Sequence, residues 1–134
     1  MELRKSYKEL IIWLISFLAV FLLCAFLPIK NGDLLLRILM NIIIIGVVAL
    51  TYLIYKTENI YWYTGINYED AAEAGSIRRK EYAKKHYVLF RNAGIILCLY
   101  TVISYMLHIY SWIDVIVVCI GVCVTAIRTM KIEL

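Results

Sequence analysis

The sequence predicts an all-α integral membrane protein, with four transmembrane helices in an antiparallel bundle and a helical cytoplasmic loop between the second and third. Three observations carry that reading. Of 134 residues, 63% are hydrophobic and only 18% charged, too few polar side chains to cover a water-facing surface. The charges gather at the N-terminus, in one central stretch and at the C-terminus. The apolar runs between them have about the length that crosses a bilayer at roughly 1.5 Å per residue.

The first span is predicted over residues 10–29, preceded by Arg4, Lys5 and Lys8 and closed by Pro28, Asn31 and Gly32. It is too long for the apolar part of a signal peptide, and the bulky Phe26 and Leu27 argue against a cleavage site. Leu23 before Cys24 argues against a lipoprotein signal, so the span is expected to be retained. The second span, residues 34–55, contains four consecutive isoleucines, Ile42 to Ile45, a run suited to lipid. Arg37 lies within a turn of its outer end and is expected to snorkel to the headgroups. Gly46 offers a place for close helix approach.

The loop, residues 57–86, opens with an aromatic cluster, Tyr61, Trp62 and Tyr63, of the kind that sits at the membrane interface. Asn67 followed by Asp70 reads as an N-cap, predicting a short helix from Tyr68 to Ala74 that Gly75 stops. Ser76 can cap a second helix, which meets no breaker before Asn92 and is expected to run into the third span, residues 87–109. A tight turn around His108–Trp112 leads to the fourth span, residues 112–128, making a helical hairpin with the third.

Orientation follows from the basic residues. Twelve of the 14 lie before the first span, between the second and third, or after the fourth; Lys30 and Arg37 fall on the other side. The positive-inside rule therefore places both termini and the central loop in the cytoplasm of a cell with the protein in its plasma membrane. A nucleic-acid partner is not expected, because no basic face is carried by a folded domain.

The polar variety needed for a function is concentrated in the central loop. Arg78, Arg79, Lys80, Lys84 and Lys85 are the candidate contact residues, for anionic lipid or for a protein partner. The alternative is that they only enforce topology. Within the spans, Asn41, Arg91 and Asn92 are the candidate polar contacts, with Asn41 expected to hydrogen-bond a neighbouring helix. Cys24, Cys98, Cys119 and Cys123 all fall in apolar runs and read as small packing residues, not as a disulfide framework or metal ligands. No cofactor is expected, and no pair of carboxylates or nucleophile with a base converges in the sequence, so enzymatic activity is not expected either.

Small multidrug-resistance exporters have the same size and span count, but their mechanism uses a carboxylate in the first span, where this chain offers Ser16 and Cys24. The stretch from Thr64–Gly65–Ile66–Asn67 through Arg78–Arg79–Lys80–Glu81–Tyr82 resembles small bacterial membrane proteins of the SdpI type, which place a polar cytoplasmic segment and a charged helix before a closing helix pair. The resemblance covers about half of the chain and implies an immunity or signalling role against a membrane-active peptide. The overall expectation is a protein that acts by association, as an accessory, immunity or regulatory subunit, through the helical loop from Asn67 to Arg91, with the bilayer, another membrane protein or a second copy as partner. A small oligomeric transporter or channel is the alternative.

Overall fold

The computed structural model describes residues 3–134, and four helices of 18, 26, 39 and 19 residues carry most of them. Helix α1 spans Lys8–Ala25, α2 Gly32–Thr57, α3 Tyr68–Met106 and α4 Ser111–Thr129, with a single 3-10 turn, Ile60–Trp62, between α2 and α3. Each helix is long and apolar enough to cross a membrane.

Local chemistry explains where each helix begins and ends. Helix α1 stops at Ala25, short of the expected residue 29; the ring of Pro28 disfavours helical geometry in the residue before it and supplies no amide donor. The Asn31 side chain caps α2, accepting from the amides of Asp33 at 3.1 Å and Leu34 at 3.3 Å. Glu58 ends α2 in the left-handed region, with φ of 61°. Asn67 caps α3 by accepting from the Asp70 amide at 2.7 Å. Gly75, with φ 82° and ψ 161°, separates the short first part of α3 from the rest; that backbone region is essentially reserved for glycine. From Ser76 to Met106 the helix is continuous and about 46 Å long at 1.5 Å per residue. A hydrocarbon core is about 30 Å thick, so this helix exceeds a spanning length by roughly a third of itself, and its N-terminal part, from Ser76, is the arm.

The helices run antiparallel in sequence order. Helix α2 touches each of the other three, and α3 and α4 pack against one another; among the described residues α1 packs against α2 alone. Glycines permit the close approaches. A side chain at Gly94 would meet Val48 at 2.8 Å, and one at Gly121 would meet Leu97 at 2.8 Å. The close approach at Gly46 is made by the Phe17 ring of α1, which stacks on Trp13.

Two apolar clusters form the interior. Met40, Ile44, Leu97 and Val118 join α2, α3 and α4 at mid-span. The second sits at the end carrying the termini and the central segment: Ile54, Ile60, Tyr61, Ala71, Tyr82 and Ala83 gather there, with Leu3, Ile132 and Leu134 packed in from the two chain ends. This end is called the basic side below, and the end bearing the α1–α2 and α3–α4 turns the hairpin side. Outside the clusters the usual order is inverted. Leu23, Ile96 and Ile45 are among the exposed side chains, whereas Arg37, Thr51, Thr101, Ser104 and Asp114 are buried. Such an exterior suits lipid and would be a liability in water.

Candidate functional site

The arm of α3 brings most of the candidate basic residues to one surface. Arg78, Lys80, Lys84 and Lys85 are exposed on it, as is Ile77, at 85%. Lys85 pairs with Glu81 one turn earlier, at 3.3 Å. Arg79 departs from the expectation of a contact residue. It is 2% exposed, lies 3.6 Å from Glu58 and donates to the Ala71 carbonyl at 3.1 Å. Its place on the helix explains the difference, since Arg79, Tyr82, Ala83 and His86 fall at the i, i+3, i+4, i+7 spacing of one face, and all four are buried.

That inner face locks the arm to the rest of the basic side. Glu58, fully buried, accepts from the Ser76 hydroxyl just after the Gly75 break. Beneath it, the His86 ring stacks on Tyr63 with centroids 4.4 Å apart and lies 4.4 Å from Tyr82. His86 Nδ1 sits 3.0 Å from the Tyr82 carbonyl; a carbonyl only accepts, so Nδ1 carries the proton. Burial holds the His86 pKa below its ordinary value, opposed in part by that hydrogen bond. Burial, with Tyr82 adding to it, pushes the Tyr63 phenol well above its own. The N-terminal segment is fastened to the same layer: the Tyr61 hydroxyl donates to the Ser6 carbonyl at 2.7 Å, Trp62 Nε1 to the same oxygen at 3.2 Å, and the Tyr68 hydroxyl to the Leu3 carbonyl at 2.8 Å.

On the hairpin side a polar seam joins α2, α3 and α4. Asp33, Arg37 and Asn41 stand one turn apart on one face of α2, and each meets a partner on another helix. Ser111 donates to Asp33 at 2.6 Å. Arg37 Nε binds Asp114 Oδ2 at 2.8 Å, while its Nη2 donates to the Ile109 carbonyl and reaches Ser104 Oγ at 3.4 Å. Ser104 in turn donates to the other Asp114 oxygen. Asn41 Nδ2 donates to Thr101 Oγ1 at 2.9 Å and to the Arg37 carbonyl. Arg37 is 5% and Asp114 0% exposed, so Arg37 turns inward to a fixed carboxylate and does not snorkel. A depression of about 340 Å³, lined by Asn31, Asp33, Tyr105 and His108 among others, opens above Arg37.

The chain matches no family model, no curated protein and no solved structure. Its site must therefore be judged from its own chemistry. The three candidate polar residues of the spans do not form one cluster. Asn41 belongs to the seam, whereas Arg91 and Asn92 are exposed on the basic half of α3, joined by a 3.4 Å contact. Cys119 and Cys123 face outward from α4 instead of forming a packing face within the chain, and Cys98 packs beside the mid-span cluster.

The sequence predicts neither the pairing of Arg37 with Asp114 nor the Glu58–Ser76–Arg79 cluster: it reads Arg37 as a headgroup contact and Arg79 as part of the exposed basic surface. A signal existed for the first: one basic and one acidic residue stand at the same hairpin-side depth of two different spans. For the second, the helical phase of Arg79 was the available signal.

Proposed function

We propose that the protein works by association, as an accessory, immunity or regulatory subunit of a plasma membrane, with both termini and the α3 arm in the cytoplasm. One observation carries this reading. Four basic side chains, Arg78, Lys80, Lys84 and Lys85, and the apolar Ile77 are exposed on an arm whose opposite face is fixed to Glu58, Tyr63 and Ala71. A rigid helix with a basic, partly apolar outer face suits a surface that docks without reorganising. Arg79 stays outside the contact set because it braces the arm.

The test is co-purification from native membranes with the four exposed basic residues changed to Glu and Arg79 retained. Loss of the partners bound by the wild-type chain is the expected result; an unchanged set of partners would refute the assignment of the arm as contact surface.

A small oligomeric transporter is the second reading, favoured by the depression that opens over the Arg37–Asp114 pair. Flux in reconstituted vesicles that depends on Asp114 would support it, and flux unaffected by Asp114→Asn would remove its basis.

A further inference from the structure

Between α2 and α3 an open apolar groove of about 490 Å³ runs along the surface of the bundle on its basic half. Gly94 makes it possible. The glycine is buried, with Val48 and Ile44 where its side chain would be, so the groove has a shallow floor there. Ile45, Ile95 and Leu99 form its rims and are each more than half exposed. Ala49 is exposed within it. Two turns of helix on either side, Ile44 to Tyr52 and Arg91 to Leu99, give it a length of about 12 Å.

The groove is polar at one end only. Tyr52 and Tyr87 close it there, their rings 5.5 Å apart, and Tyr55 stacks on Tyr87. Clustered tyrosines mark the headgroup level of a membrane. The Arg91 guanidinium lies at that level, 5.7 Å from the Tyr87 ring. Its hydrogen-bond partner is the neutral Asn92 side chain, and among the described residues no carboxylate pairs with it. Lys84, exposed and seven residues earlier, carries positive charge outward along the same helix face.

We propose that the α2–α3 groove binds an acidic phospholipid, with one acyl chain lying over Gly94 and Ala49 and the phosphate held by Arg91 beside Tyr87. An apolar trough ending in an unmatched guanidinium at headgroup level has the polarity of an anionic amphiphile from end to end. Arginine suits the role because its fork of donors matches phosphate geometry. A net-negative headgroup is favoured over a zwitterionic one, whose own amine competes with Arg91 for the phosphate. A second copy fits less well. A symmetric dimer across the groove places the same patch on both subunits and brings two unmatched Arg91 side chains toward each other away from water, at a cost in desolvation and repulsion.

The full-length protein, purified in a neutral detergent and supplied with equal amounts of phosphatidylglycerol and phosphatidylcholine, tests the assignment by native mass spectrometry. The expected result is preferential retention of one phosphatidylglycerol. Retention should fall about tenfold in Arg91→Gln, on the scale of one lost charge-assisted hydrogen bond, and recover in part in Arg91→Lys. Ala49→Phe, which fills the trough with Arg91 intact, should also lower it. Arg128→Gln, removing an exposed charge on α4, should leave it unchanged. Thermal unfolding without added lipid confirms that each variant is folded. Equal retention of the two lipids, or wild-type retention in both Arg91→Gln and Ala49→Phe, overturns the proposal. So does an oligomer that dissociates in Ala49→Phe while phosphatidylglycerol binding persists, which would make the groove an interface between copies.

Discussion

Asp114→Ala is expected to be among the most damaging single substitutions in this chain. Asp114 is completely buried and receives both Arg37 Nε, at 2.8 Å, and the Ser104 hydroxyl. Removing it leaves a buried guanidinium with only the Ile109 carbonyl and Ser104 and no counter-charge. Breaking one side of a buried ion pair typically costs about 3–5 kcal/mol, a factor of roughly one hundred to a few thousand in the folding equilibrium. Asp114→Asn keeps the shape and one acceptor oxygen while losing the charge, so its cost should lie nearer the roughly 1.5–3 kcal/mol of a hydrogen bond to a charged group. The double change Arg37→Met with Asp114→Leu removes both charges and should fall within about 1 kcal/mol of the wild type, because apolar replacement of a buried pair is often neutral or stabilising. Reversible unfolding in mixed micelles titrated with a denaturing detergent, followed by tryptophan fluorescence, measures all three and the singles Arg37→Met and Asp114→Leu that close the cycle. The resulting cycle should show a coupling energy of about 2 kcal/mol or more. An Asp114→Ala cost under about 1 kcal/mol, or additive losses in the double variant, would refute the reasoning that the pair is desolvated and mutually dependent.

Two further outcomes follow from the basic side. Gly75→Ala forces a side chain into φ 82°, ψ 161° and should cost on the order of 1–3 kcal/mol, read in the same unfolding assay; no measurable loss would mean that the break relaxes freely. Because burial lowers the His86 pKa from 6.5, the unfolded chain takes up this proton first as pH falls. Its contribution to stability is thus complete above about pH 6.5 and lost as pH drops through the lowered folded value. Unfolding midpoints measured from pH 7.5 downward should show a decline that His86→Phe flattens, and an equal slope in the variant would argue against His86 as its source.

The charge segregation made four helices of spanning length legible in the sequence, because an apolar run and its flanks are properties of the chain alone. The same holds for the cap at Asn67, the stop at Gly75 and the continuity of the arm from Ser76, all dictated by local backbone chemistry. Side-chain destinations were harder to read. Arg37 was assigned to the headgroups from its depth, but depth does not say which way a helix faces, and its partner lies 77 positions away. Within Arg78–Arg79–Lys80 three chemically similar residues divide into two exposed and one buried, a distinction set by helical phase against α2. Glu58, in a segment read only as an interface, becomes the buried acceptor for Ser76 because the left-handed turn at the end of α2 directs it under the arm.

The unbroken helix from Ser76 onward belongs to both ionic assemblies: it contributes Ser76 and Arg79 to one and Ser104 to the other. Its two ends are thereby indexed to each other like keyways on one shaft. Each residue advances an α-helix by about 100°, so inserting or deleting a single residue between His86 and Ser104 would turn one assembly out of alignment whenever the other was seated. Length and angular phase in this segment are fixed together, and it tolerates substitution far more readily than any change in its count of residues.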